Sequence, residues 1–181
     1  MKAREAHLFQ SLRATHQFII NNAAALGSVP IARTHRRLCE TLERASAYAN
    51  AQRAAHVCAQ SATLVLHQRR MELLRDHLAP LVAIAAGLRV TPSEPHAFRM
   101  PPRRAGVEQL REYAVGMALA AEPFTQPFVQ AGLHPDFAVR MVAAAQVFID
   151  AATERRHQRT RGVEATHGLA EQLRQGRKTV Q

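Results

Sequence analysis

The chain has 181 residues, 47% of them hydrophobic and 21% charged, enough for one compact domain that buries roughly 70% of its unfolded surface. Seven Phe, two Tyr and no Trp stand against 34 Ala, too few large β-formers to build a sheet, so the composition predicts an all-α protein. Twenty-two Arg and two Lys against 14 acidic residues give a formal charge of +10, which favours polyanions or an acidic partner chain, although a GC-rich genome would also enrich arginine.

Two cysteines cannot make a disulfide framework, and the residues after Met1 lack the uninterrupted apolar stretch of a signal peptide. The longest apolar run, Leu78 to Leu88, is broken by Pro80 and Gly87 and is too short to span a membrane. A soluble, cytoplasmic protein is expected.

In chain order, Leu8, Leu12, Phe18, Ile19 and Ala23 mark an amphipathic helix over Lys2 to Leu26, which Gly27 ends. Ser28 and Pro30 supply the start of the next. Ile31, Leu38, Leu42, Ala45 and Ala49 step by seven, four, three and four, the a/d seam of antiparallel helix packing, and are predicted as a helix–helix interface. Val57, Leu64, Met71, Leu74, Leu78 and Leu81 form a second seam with a drifted phase. The drift allows one long bent helix or a hairpin, and the hairpin, turning near Asn50 to Ala55, is favoured.

Arg89 to Gly106 carries four prolines and no periodicity, which predicts a long strap anchored by Phe98 and Met100. Helix returns over Val107 to Ala131, with Pro123 and Pro127 predicting a kink near Ala120. Gly132 followed by Pro135 and Asp136 predicts a sharp corner, with both residues in the first turn of the last helix. That helix carries Phe137, Met141, Ala144, Phe148 and Ala152 on one face. Beyond Arg161, Val163, Leu169 and Leu173 are too sparse to be buried alone, so residues 162–181 are expected to be a frayed extension or a surface awaiting a partner, outside a bundle domain of residues 1–161.

Phe98-Arg99-Met100-Pro101, then a helix, then Phe128-Val129 leading to Gly132-Leu133 and Asp136-Phe137 resembles a family of uncharacterised bacterial all-helical proteins over about residues 98–152. The resemblance implies a helical bundle and assigns no function. Members of that family carry further helix, which implies a truncated or divergent C-terminus here.

Chemistry finds little purchase. Glu154 with His157 and Glu164 with His167 repeat the Glu-x-x-His unit of di-iron bundles, but ten residues apart on one helix, about 15 Å along its axis, they read as a charged surface. No two histidines stand three or four apart, so a helical zinc pair is absent. Cys39 and Cys58 are each taken to lack a close His or Cys partner in sequence and read as buried, inert thiols. Glycine-rich nucleotide motifs are missing. A helix-turn-helix over Phe124 to Ala143 is disfavoured by Phe128 where a small residue is needed and by Pro127 inside the first helix. No catalytic, cofactor or metal residue is assigned.

The expectation is an elongated antiparallel bundle of four or five helices with one Pro-rich strap, a non-enzymatic interaction or scaffold protein that self-associates or binds another helical chain. The alternative is sequence-tolerant nucleic-acid binding through phosphate contacts of Arg99, Arg103, Arg104, Arg155, Arg156, Arg159 and Arg161.

Overall fold

The computed structural model describes residues 3–26, 31–88 and 97–180, and among them there is helix but no strand. The helices are α1 (Ala3–Asn21), α2 (Ala32–Glu72), α3 (Ala79–Gly87), α4 (Val107–Ala121), α5 (Thr125–Gln130) and α6 (Phe137–Val180). A π turn, Leu73–Leu78, joins α2 to α3, and a single 3-10 turn, Glu122–Phe124, joins α4 to α5. No described helix is long and apolar enough to cross a membrane. Expectations for Gly27 to Pro30 and for the Arg89 to His96 part of the strap lie outside the described residues.

The helix breaks have local causes. Pro80 offers no donor, and the turn before it widens so that the Ala79 N–H donates to the Leu74 carbonyl, five residues back. Pro123 sits in the 3-10 turn directly after α4, so the expected kink near Ala120 is a break just beyond Ala121. Gly132 has φ +104°, a left-handed conformation, while its N–H donates to the Val129 carbonyl and the Leu133 N–H to the Phe128 carbonyl, both at 3.0 Å. These two bonds close α5 as a Schellman motif, the role for which glycine is favoured. Asp136 caps α6 rather than standing inside its first turn: its carbonyl accepts from Arg140 N–H at 2.9 Å, and its carboxylate pairs with Arg140 and His134.

The chain forms two compact units, one from residues 1–59 with 157–181, the other from residues 60–156. In the first, Leu12 of α1, Leu38, Leu42, Ala45 and Ala49 of α2, and Leu169 and Leu173 of α6 share one buried core. The predicted seam is therefore closed within the chain, with Ile31 only half-buried at its end. Leu169 and Leu173 are 0% and 1% exposed, so residues 162–180 are helix belonging to a core, not a frayed extension or a surface awaiting a partner. Their sparse leucines are sufficient because α1 and α2 supply the rest of the hydrophobic surface.

In the second unit Leu73, Leu78, Leu81, Leu110, Met117, Phe128, Phe137, Met141 and Phe148 make the core. Phe98 packs edge-on against Phe128 at 5.7 Å between ring centres, as expected of an anchoring side chain, whereas Met100 is exposed. Arg70 holds residues 97–106 as well, its guanidinium donating to the carbonyls of Ala105 at 2.9 Å and Arg103 at 3.0 Å.

Two expectations about α2 are corrected. Residues 50–55 are continuous helix, because Ala51, Gln52, Arg53 and Ala54 are good helix formers and no breaker interrupts them. The second seam is misplaced in its first half: Val57, Leu64 and Met71 are exposed, Leu64 by 73%, while Leu66 and Leu73 turn inward; Leu74, Leu78 and Leu81 pack in the core as expected. The inward pair stands two residues further on, close to the opposite side of a helix with 3.6 residues per turn.

Candidate functional site

The side-chain cluster with most chemical potential lies in the first unit. His35 and Cys39 stand one turn apart near the start of α2, and His16 reaches them from α1. Cys39 Sγ lies 3.1 Å from His16 Nε2 and 3.7 Å from His35 Nε2. The two imidazole rings stack with centres 5.2 Å apart and an interplanar angle of 20°. All three side chains are half-buried and offer donor atoms within 4.8 Å of one another, the one such group among the described residues. A thiol held between two imidazoles can ligate a transition metal ion or place a nucleophile beside a base.

The reading of both cysteines as buried, and of Cys39 as lacking a His partner, is thus corrected. Cys58 is exposed, on an outward position of α2, and Cys39 is half-buried beside two histidines. A signal for part of the cluster was present in the sequence as His35-x-x-x-Cys39, a spacing that puts both side chains on one helix face. Nothing local could have indicated His16. The Glu154/His157 and Glu164/His167 units are exposed on α6.

The arginines proposed for phosphate contacts are distributed. Arg99, Arg103 and Arg104 are exposed in the segment before α4; Arg155 and Arg156, like them, belong to the second unit, and Arg159 and Arg161 to the first. Arg155 Nε donates to Thr63 Oγ1 at 3.2 Å. Other cations serve local pairs. Arg69 meets Glu72 at 2.7 Å, Arg75 meets Asp76 at 2.8 Å, and Arg174 meets Glu171 at 2.8 Å. The Arg174 guanidinium, then the Gln175 amide, hold the Glu171 carboxyl at about 2. Arg159 also lines a cleft of about 460 Å3 in the first unit with His56, Gln52, Thr166 and His167, where Gln52 Nε2 donates to Thr166 Oγ1 at 2.9 Å.

A third feature lies on the first turns of α6, in the second unit. Phe137, Met141, Ala145 and Phe148 are buried, and the face directly opposite carries Val139, Val142, Ala143 and Val147, all exposed, Val139 by 70%. A helix apolar on both faces is the pattern of one covered on both sides. No family model, curated protein or solved structure matches this chain.

Proposed function

We propose that the protein is a non-enzymatic helical-bundle interaction module, working in a reducing cytoplasm, that self-associates through the outward face of α6. The observation that carries this reading is the valine stripe Val139, Val142 and Val147 opposite the buried Phe137, Met141 and Phe148. Helical spacing gathers the stripe into one strip, with the small Ala143 midway between Val139 and Val147, where two helices could approach closely. A second copy is the favoured occupant. Antiparallel pairing about Ala143 would be two-fold symmetric and would set Val139 of one copy against Val147 of the other. Each valine fully covered contributes about 1.5–3 kcal/mol before the cost of association. The seam Ile31, Leu38, Leu42, Ala45 and Ala49 is not needed for this contact, since it serves the chain's own core.

The test is light scattering across the micromolar range on the wild type and on Val139→Glu/Val147→Glu. A wild-type dimer that the double substitution converts to monomer, with helix content unchanged, supports the reading. A strictly monomeric wild type refutes self-association.

A second reading, sequence-tolerant nucleic-acid binding, is supported by the exposure of Arg99, Arg103, Arg104, Arg156, Arg159 and Arg161 on a chain of net charge +10. It requires the anisotropy of a labelled duplex to respond to the protein and the affinity to fall steeply with salt. Absence of binding at low salt ends it.

A further inference from the structure

We propose that His16, His35 and Cys39 form a binding site for one late first-row divalent transition metal ion, of which Zn2+ is the physiological candidate. Two imidazoles and one thiolate are borderline-to-soft donors that suit Zn2+ better than Mg2+ or Ca2+. Geometry supports the same choice. Tetrahedral coordination at ordinary Zn–S and Zn–N lengths sets each sulfur–nitrogen separation at about 3.5 Å. The Cys39 sulfur lies 3.1 Å from one imidazole nitrogen and 3.7 Å from the other, on either side of that value. The two imidazoles, stacked at an interplanar angle of 20°, must turn relative to each other for both nitrogens to face one centre.

The secondary structure makes the site inexpensive to build. His35 and Cys39 are four apart on α2 and share a face, so the helix orients two of three ligands before any tertiary contact forms. Arg33 and Arg37 fall on the other side of α2 by its 3.6-residue period, and the exposed Arg36 stands about a quarter turn from the cluster. On α1, Arg13 lies over the Phe9 ring at 5.8 Å. Binding displaces the Cys39 thiol proton to solvent and takes the imidazoles as neutral donors, and three protein ligands leave a fourth position for water or a small ligand.

The ion would also have a structural consequence. Among α1 residues only Leu12 is fully buried, so α1 is held to its unit by one large side chain and several half-buried ones, Leu8, Phe9 and Ile19. A metal bond from His16 to the α2 pair cross-links the two helices at a point 23 positions apart in sequence from Cys39. Binding to the folded form alone raises stability by mass action.

The experiment uses the full chain, reduced and stripped with chelator, titrated with Co2+ and then Zn2+. One Co2+ per chain is expected, with the visible bands of four-coordinate Co2+ and a thiolate-to-metal charge-transfer band that Zn2+ abolishes. Cys39→Ser is expected to remove the charge-transfer band, and His16→Gln and His35→Gln each to weaken binding by about tenfold or more, at least as much as loss of a supporting group costs. Cys58→Ser should leave the titration unchanged. Circular dichroism reports folding, and if Cys39→Ser disturbs it, the His16→Gln titration decides. No charge-transfer band in the wild type, a band that survives Cys39→Ser, or one that disappears with Cys58→Ser overturns the site.

Discussion

Leu173→Ala tests whether the last turns of α6 are part of the core. Leu173 is 1% exposed and shares its cluster with Leu12, Leu38, Leu42 and Leu169. Truncating a leucine at such a site removes its transfer free energy and leaves a cavity, a loss of about 2–5 kcal/mol. The residue lies only two turns from Val180, the last helical residue, where the backbone can settle inward, so the lower half, about 2–3 kcal/mol, is expected. A unit of about 80 residues is stable by roughly 4–12 kcal/mol at ordinary per-residue values, so the loss is a substantial fraction of the total. Urea unfolding is the assay, and the chain has convenient reporters: its two tyrosines divide between the units, Tyr48 in the first and Tyr113 in the second. In a Tyr113→Phe background the Tyr48 transition should move to lower urea with its slope unchanged. Val163→Ala, more than half exposed on the same helix, should shift it by less than about 0.5 kcal/mol. A Leu173→Ala protein within about 0.5 kcal/mol of wild type would refute the reasoning and return residues 162–181 to the status of an appendage.

Three further outcomes follow from local geometry. A Cβ at Gly176 would stand 2.6 Å from Leu12 Cδ1 and 3.1 Å from Thr41 Cγ2, an overpacking cost of about 1–3 kcal/mol against a helix-propensity gain of about 1 kcal/mol; Gly176→Ala should therefore destabilise by roughly 1 kcal/mol in the same melts, and a stabilised protein would show that α1 is not seated there. Arg70→Ala deletes two charged hydrogen bonds to the Arg103 and Ala105 carbonyls, and it should cost about 1–3 kcal/mol and speed amide exchange in residues 97–106, with Arg70→Lys unable to restore both bonds. The Glu171 carboxyl, lowered to about 2 by Arg174 and then Gln175, should titrate well below 4 in the folded chain by NMR and return toward 4.5 in Arg174→Gln. Because the folded value is the depressed one, the pair's contribution is complete above the unfolded value near 4.5 and disappears as pH falls toward 2; an ordinary midpoint in the wild type would show that the pair is not formed.

Features legible in the sequence are those whose physics is local. Gly132 followed by Pro135 and Asp136 marks a helix end and a helix start because a left-handed residue and a carbonyl that begins a helix are decided within a few residues. Leu38, Leu42, Ala45 and Ala49 are readable as an inward face because their spacing fixes a single stripe. Two of the three ligands of the candidate metal site are equally local: His35 and Cys39 share a helix face by spacing alone, against the expectation that Cys39 has no close His partner.

The sequence by itself determined the helical class, the breaks at Pro123 and at Gly132 to Asp136, and the seam on α2. Tertiary structure decided which of two apolar faces turns inward. Leu64 and Leu66 are both leucines on one helix, and only the arrangement of the surrounding core exposes the first and partly buries the second. It also decided that Leu169 and Leu173 have partners, and that His16 meets a pair of ligands on another helix. A helix period fixes the angle between side chains, but not which angle faces a neighbour, because that neighbour comes from a distant part of the chain.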